Sequence, residues 1–570
     1  MAEEVWMLQT KKADFKQIGA RFRIDPVTAR IIRNRGIEGE AAIDRYLNGT
    51  LDDLYDPMLL KDMERAVSIL CEAVDTGKKI RIVGDYDIDG VCSTYLLYRA
   101  LKRIGANVDF EIPDRIKDGY GINESIIEQA HADGVEVILT CDNGISAFHQ
   151  VELAKKYGMT VVITDHHEVP LDGEKEKIPP ADAVIDPKQA DCPYPFPEIC
   201  GAVVAYKLVQ VLYARRGVPQ MEWLDLLEFA AIATVGDVMK LQDENRILVK
   251  YGLKKMAQTK NIGLRRLAEK NNLDLGAITA YHIGFVIGPC LNAGGRLKTA
   301  KEALALLRAQ SEEEAERLAE ELKELNDTRK DMTEQGTEAA KLQVESWYQK
   351  DKVLVVFLPE CHESLAGIIA GRLREYYQKP AIVLTRGEEA VKGSGRSIDE
   401  YHMFKKLTEV SDLLLKFGGH PLAAGLSLEE KNIDEFRRRL NENAGLTEED
   451  FKAKVWIDVP MPVGYVTERL VRELSCLEPF GQGNEKPLFA EKSLRIRASR
   501  VLGRNRNVVK MTLEETDGHA IEALYFGDGT AFEEERAGRR EIDVVYYPDI
   551  NEYNGRKTLQ AVIRRYKFRG

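Results

Sequence analysis

The stretch Arg81–Val91, RIVGDYDIDGV, carries an acid at every second position, Asp85, Asp87 and Asp89, between an apolar run and a glycine. Alternate side chains of an extended segment share one face, so these carboxylates would crowd and repel one another unless a cation lay between them. The run D-x-D-x-D-G also opens an EF-hand loop. That loop needs a bidentate Glu at its twelfth position, and counted from Asp85 this position is Leu96, which excludes a calcium hand. The CSTYLLYRALKRIG that follows has apolar residues at helical spacing and ends in Gly105, so the acids stand where a strand passes into a helix.

On either side of this junction, strand-like runs (KIRIVGD, ANVDFEI, VEVILTCD, TVVITDHH) alternate with helix-like ones (INESIIEQAHADG, SAFHQVELAKKYG). Alternation of this kind predicts βαβ units, an α/β domain and a mainly parallel sheet, whose ligand site lies beyond the carboxyl ends of the strands. Asp142 in TCDNG and the triplet Asp165-His166-His167 fall at such ends. Further on, EWLDLLEFAAIATVGDV ends at Asp237, whose carboxylate would face the negative end of a helix dipole and so favours a nearby cation.

A chain of 570 residues is expected to form several domains. The boundaries read from the sequence are an N-terminal segment 1–70, a catalytic domain 71–298, a connecting helical region 299–350, a second, smaller α/β domain 351–446, and an all-β barrel 451–570. The connecting region is charged and helix-favouring, without a heptad sustained long enough for a coiled coil. The barrel is inferred from short alternating segments such as LRIRASRVL, AIEALYFG and EIDVVYYPDI, separated by turn signals.

No apolar run is long enough to span a bilayer and the N-terminus has no apolar signal core, so a cytoplasmic protein is expected. The 8 cysteines are scattered singly without a C-x-x-C pair, which supports neither a disulfide framework nor a thiolate zinc site. A net charge of -12 argues against indiscriminate nucleic-acid binding. From Glu491 onward, however, 16 Lys and Arg stand against 13 Asp and Glu, so the barrel region can meet a polyanion.

Asp85, Asp87, Asp89, Asp142, His166, His167 and Asp237 form an oxygen-rich ligand set with one or two imidazoles, which suits Mn2+ or Mg2+ better than structural zinc. Two such ions about 4 Å apart can activate water and stabilise both oxygens of a displacement at phosphorus.

GDYDIDG, TCDNG, TDHHE and ATVGDV, in this order, resemble the motifs of the DHH phosphoesterase superfamily. KGSGRSI (Lys392–Ile398) and FGGHPLAAG (Phe417–Gly425) resemble its usual partner domain, DHHA1. IPDRIKDGYGIN, NAGGRL, LNDTR and EPFGQGN are similar to segments of the bacterial RecJ-type exonucleases in particular, over residues 45 to 570. By that resemblance, Asp87, Asp89, Asp142, His166 and Asp237 would hold two metals, with Asp142 as the bridge and Asp85 either a further ligand or a structural hydrogen-bonding group. His167 would bind the scissile phosphate.

In the second domain, Ser394 and Arg396 fit a phosphate contact, because glycine lets the backbone approach and a guanidinium grips two oxygens; His420 suits a similar one. Arg115, Tyr120, Asn292 and Arg296 are candidates for a substrate channel, and Arg296 equally for an interdomain ion pair. One departure stands out: many relatives have Arg in a GPRxNAxGR pattern, and this chain has Cys290 there.

The barrel resembles an OB-fold, which grips single strands through a basic groove and aromatic platforms. Arg495, Arg497, Arg500, Arg504, Arg506 and Lys510, with Tyr525, Phe526 and Tyr546, supply both ingredients. The resemblance therefore implies a metal-dependent exonuclease that degrades single-stranded DNA from the 5′ end to mononucleotides in repair and recombination, with a helicase and a single-strand-binding protein as partners. Two other readings remain open: a DHH phosphodiesterase for short oligonucleotides or dinucleotides, and an inactive single-strand-binding scaffold. The first predicts a chain without a barrel. The second predicts eroded ligands.

Overall fold

The computed structural model describes residues 4–115, 119–553 and 555–569; residues 116–118 of the IPDRIKDGYGIN segment lie outside it. The chain divides into two compact units. One comprises Leu54–Met239 and Leu248–Ala453; the other comprises Val5–Asp53, Lys240–Ile247 and the chain from Lys454 onward.

The first unit holds two sheets. Five parallel strands lie in the order Asn107–Glu111, Lys79–Val83, Val137–Cys141, Thr160–Thr164 and Ala183–Ile185. The chain leaves Lys79–Val83 toward one edge of the sheet and returns on its other side. The carboxyl ends of Lys79–Val83 and Val137–Cys141 therefore flank the point where the strand order reverses, the usual ligand crevice of such sheets. Val137–Cys141 is buried along its whole length, as a central parallel strand covered on both faces must be. The helix Ile88–Arg103 packs against Gly201–Arg215 and Leu227–Gly236 and seals one face.

The connecting region folds as a short helix, Lys301–Arg308, and a long one, Glu312–Gln343. The long helix is capped by Ser311, whose hydroxyl accepts the Glu314 N–H, and has three glutamates in its first turn, matching the helix dipole. The second sheet is mixed. Leu354–Phe357 and Ala381–Arg386 run parallel, and Val391–Arg396, Ala423–Leu428 and Leu414–Gly419 continue it antiparallel. Among the described residues no helix is long and apolar enough to cross a membrane.

The second unit is built on a closed barrel of Phe489–Leu502, Val508–Glu514, Ala520–Phe526, Arg556–Phe568 and Glu541–Tyr553, with the last strand pairing back to the first. Its core contains Phe489, Met511, Phe532 and Tyr546, and also Ile31, Ile32, Ile43 and Tyr46 from N-terminal helices. The stretch expected as a segment of its own, 1–70, is thus divided, with its first helices sharing the core of the barrel. Arg246 joins this core without a carboxylate partner among the described residues: its guanidinium donates to the carbonyls of Tyr46 at 3.1 Å, Leu477 at 2.8 Å and Cys476 at 2.7 Å.

Candidate metal centre

Asp87 is the N-cap of Ile88–Arg103; its Oδ1 accepts the N–H groups of Asp89 at 2.9 Å and Gly90 at 3.1 Å. Asp89 lies fully buried in the first turn. Its two oxygens accept the N–H groups of Gly201 and Ala202, each at 2.7 Å, at the N-terminus of Gly201–Arg215. That helix end supplies positive potential to a carboxylate cut off from water. Asp142 directly follows the strand Val137–Cys141, in the left-handed region at φ 62°, and is buried. His166 Nε2 stands 3.1 Å from Asp142, 3.5 Å from Asp89 and 3.8 Å from Asp237.

Three overlapping groups have ligand atoms within 4.8 Å of one another: Asp85, Asp87 and Asp142; Asp89, His166 and Asp237; and Asp142, His166 and His167. All seven metal candidates read from the sequence therefore converge. The first two groups share no member, which makes room for two neighbouring cations, with Asp142 in the group that links them. Burial and then the neighbouring carboxylates raise Asp85 and Asp142 well above the ordinary carboxylate range, and the same causes push Asp237 up to about 8. Such a cluster cannot ionise fully by itself, and two divalent cations with a preference for oxygen fit it.

His167 stands at the edge of the cluster. Burial lowers its pKa, but the buried Asp165, whose Oδ1 lies 2.7 Å from Nδ1, raises it to about 9. Asp165 also accepts the N–H groups of His166 and Ile145, at 2.7 Å and 2.9 Å, which fixes the whole triplet. The hydroxyl of Tyr120 donates to the Asp142 carbonyl at 2.9 Å and lies 3.2 Å from His167 Nε2.

Guanidinium groups gather beside the acids. Burial, then Arg115 and Arg329, lowers the pKa of Arg296 to about 10. Arg396 is lowered by burial, then by Arg374 and Arg115. None of Arg115, Arg296, Arg329 and Arg396 pairs with a carboxylate within 4 Å among the described residues. Arg115 lies over the Tyr86 ring at 4.8 Å, and Arg296 donates to the Ser364 carbonyl at 2.9 Å instead of joining the ion pair that was its other reading. Arg396 donates to Ser394 Oγ at 3.1 Å; a Cβ on Gly367 would come within 2.8 Å of Arg396 Nη2 and 2.9 Å of Ser394 Oγ, so a side chain there would have to displace both groups. In NAGGR a Cβ on Gly295 would stand 2.4 Å from the Tyr86 carbonyl, so this glycine lets the helix touch the acidic loop. Asn292 Oδ1 is buried without a hydrogen-bond partner among the described residues.

His420 sits exposed on the loop between Leu414–Gly419 and Ala423–Leu428 and has no side-chain partner among the described residues. Cys290 is buried near Asn326, 3.4 Å away, and within electrostatic reach of Arg329. In the barrel, Arg497 pairs with Glu514, and Lys510 with Glu522 at 2.9 Å. Tyr546 is core, its hydroxyl donating to the Met461 carbonyl at 2.8 Å, while Phe526 is exposed. The sequence reading passed over two groups. Asp165 was named only as part of its triplet, and Arg329 stood unremarked inside LNDTR.

Comparison with known proteins agrees with this arrangement. Residues 79–234 match the model of the DHH family N-terminal domain, 350–445 that of the DHHA1 domain, and 457–565 that of the RecJ OB domain. The single-stranded-DNA-specific exonuclease RecJ of Bacillus subtilis (strain 168) is 36% identical over 98% of this chain and 70% of its own length. The Escherichia coli (strain K12) protein of the same name is 34% identical over 95% of each. RecJ from Thermus thermophilus, solved with Mn2+, superposes with a TM-score of 0.84 at 28% identity, covering 99% of this chain and 79% of that one. The same protein solved with Mg2+ gives a TM-score of 0.77 at 27% identity, covering 99% and 78%. Three domain matches in the order of the fold and relatives aligned over nearly the whole chain lead to one conclusion: this chain belongs to the RecJ family of DHH exonucleases.

Proposed function

We propose that this chain is a metal-dependent exonuclease that hydrolyses phosphodiesters of single-stranded DNA. The observation that carries the reading is the pair of acid-rich ligand groups linked through Asp142 and set beside guanidinium groups that have no carboxylate partner among the described residues. In this reading Asp85, Asp87 and Asp142 hold one Mn2+ or Mg2+, and Asp89, His166 and Asp237 the other. When bound, such ions lower the pKa of water and offset charge on the attacking and leaving oxygens.

The chain's own groups position the strand. Arg396 and Ser394 take a phosphate from the side of the second sheet, Arg115, Arg296 and Arg329 line its approach, and His420 is in reach only of a strand that crosses its loop. His167, oriented by Asp165 through Nδ1, faces the reacting phosphate and donates to it, stabilising the charge that grows on it. Tyr120 and Asn292 orient the chain beside it. Degradation from the 5′ end to mononucleotides, service in repair and recombination, a cytoplasmic location, and a helicase and single-strand-binding protein as partners are carried over from the family resemblance.

Digestion of 5′- and 3′-labelled single strands and of blunt duplex, in Mn2+, Mg2+ or EDTA, tests the reading. Loss of label from the 5′-labelled single strand first, only with metal, is the expected result, and Asp142→Asn should abolish it. Equal degradation of duplex, turnover in EDTA, or more than a few per cent of wild-type rate in Asp142→Asn would overturn it.

A further inference from the structure

Beyond Ala183–Ile185, the last strand in the order of the parallel sheet, the chain turns sharply through Asp186 to Gln189. Asp186 Oδ1 accepts the Lys188 N–H at 2.8 Å, and Gln189 Nε2 donates to the carbonyls of Val184 at 2.9 Å and Asp186 at 3.3 Å. Asp186, Pro187 and Gln189 are buried, so Lys188 leaves the turn from a fixed point. Its ammonium stands 2.8 Å from Glu168 Oε1, on the residue directly after His167. The backbones of the two loops are joined as well, the Asp165 N–H donating to the Ile185 carbonyl at 3.0 Å. The Lys188 side chain is 19% exposed and that of Glu168 72%, so the lysine lies packed against the rim while its partner stands in water.

Cations of different origin approach the two ligand groups. Arg296 lies within electrostatic reach of Asp87, in the first group, and Arg115 lies over the ring of Tyr86 beside it. Lys188 lies within electrostatic reach of His166 and Asp237, in the second.

We propose that Lys188 exchanges Glu168 for a DNA phosphate, the one next to the scissile phosphate on its 3′ side, and so holds the strand that remains after each cut. The inference rests on the exonuclease reading above and assigns that site a further substrate contact. An ion pair with so exposed a carboxylate is worth little and is weakened by salt, so a phosphate competes for the lysine readily. The ammonium carries three donors on a flexible four-carbon stem and can swing away from Glu168 without moving the backbone. With the arginines on the side of the first group, a strand that continues past the second would face Asp237 and Glu168, which repel it unless a cation stands there. A lysine meets phosphate as a point charge and reads no base, as removal of every nucleotide in turn requires.

The test compares wild type with Lys188→Ala on strands counted from the 5′ end. A 5′-phosphorylated dinucleotide contains only the scissile linkage, whereas a trinucleotide contains the next one too. On the trinucleotide and on a 12-nucleotide strand, kcat/KM of the variant in Mn2+ should fall on the order of 10- to 100-fold, through KM rather than kcat. On the dinucleotide the two proteins should match. Affinity for the 12-nucleotide strand in EDTA should fall alike, and its salt slope should become shallower by about 0.7, the share of one phosphate in a single strand. An uncharged methylphosphonate between nucleotides two and three should cost wild type the same factor and the variant nothing. Lys188→Arg should restore most of the loss, and Glu168→Gln should tighten binding by removing the competitor. Equal losses on dinucleotide and trinucleotide, or a methylphosphonate that weakens both proteins alike, overturns the contact and leaves Lys188 a brace for the loop after His167. The methylphosphonate comparison on wild type stands even where the variant folds poorly. Binding in EDTA is read without turnover, so a wild type that discriminates against the methylphosphonate yet degrades no strand would sink the exonuclease reading alone.

Discussion

Gly201 lies so close to Asp142 that a Cβ on it would stand 2.8 Å from Asp142 Cβ and 2.9 Å from Asp142 Cα. The same residue donates its N–H to Asp89, so one glycine seats two carboxylates of the metal centre without offering a side chain to either. Gly201→Ala must displace Asp142 or the start of the helix. A misplacement of about 1 Å can cost a hundredfold in rate, so kcat/KM should drop on that order and Mn2+ titration should show weaker binding. Wild-type kinetics in this variant would mean that the helix start yields freely.

Arg396→Ala removes a guanidinium that neutralises no carboxylate among the described residues and so is available to substrate. If it acts on the transition state, about 2 to 4 kcal/mol of stabilisation is lost and kcat/KM falls on the order of a hundredfold. Arg396→Lys should recover part of this, since it keeps the charge but loses the fork. Equal kcat/KM for wild type and Arg396→Ala on single strands would leave the residue a purely structural role.

A chain ending at Leu446 would strip the barrel from Ile31, Ile32, Ile43 and Tyr46 and take two of the three carbonyls from Arg246. It should be poorly soluble and lack a cooperative unfolding transition in calorimetry. Deleting residues 1–53 as well should recover part of the soluble yield. A well-behaved single truncation would show that the N-terminal helices fold without the barrel.

Glu228, buried with the Thr259 hydroxyl donating to it at 2.8 Å, has its pKa raised by burial to about 7. Between about pH 4.5 and 7 the unfolded chain has lost this proton while the folded chain keeps it. Stability therefore falls as pH rises through that window, by about 3 kcal/mol in total. Glu228→Gln should remove the loss, giving a higher Tm than wild type at pH 8 and a similar one near pH 4.5. Parallel Tm–pH curves would count against it.

The alternation of RIVGDYDIDGV and the recurrence of acids and imidazoles after successive apolar runs were enough to place the candidate ligands together at the ends of parallel strands. Periodicity and covalent neighbourhood are local properties, and a parallel sheet turns them directly into a shared rim. The two α/β domains, the long helix and the barrel were legible for the same reason.

What holds those groups in place was not. Asp89 is seated by Gly201 and Ala202, more than a hundred residues away; the arginines gather from four separate segments; and the first helices of the chain share a core with its last strands. A sequence pattern shows which face of an element avoids water, but not which other face will cover it. Only the tertiary structure pairs buried faces and backbone donors across such distances, and it alone decided that Tyr546 is core while Phe526 stands outside.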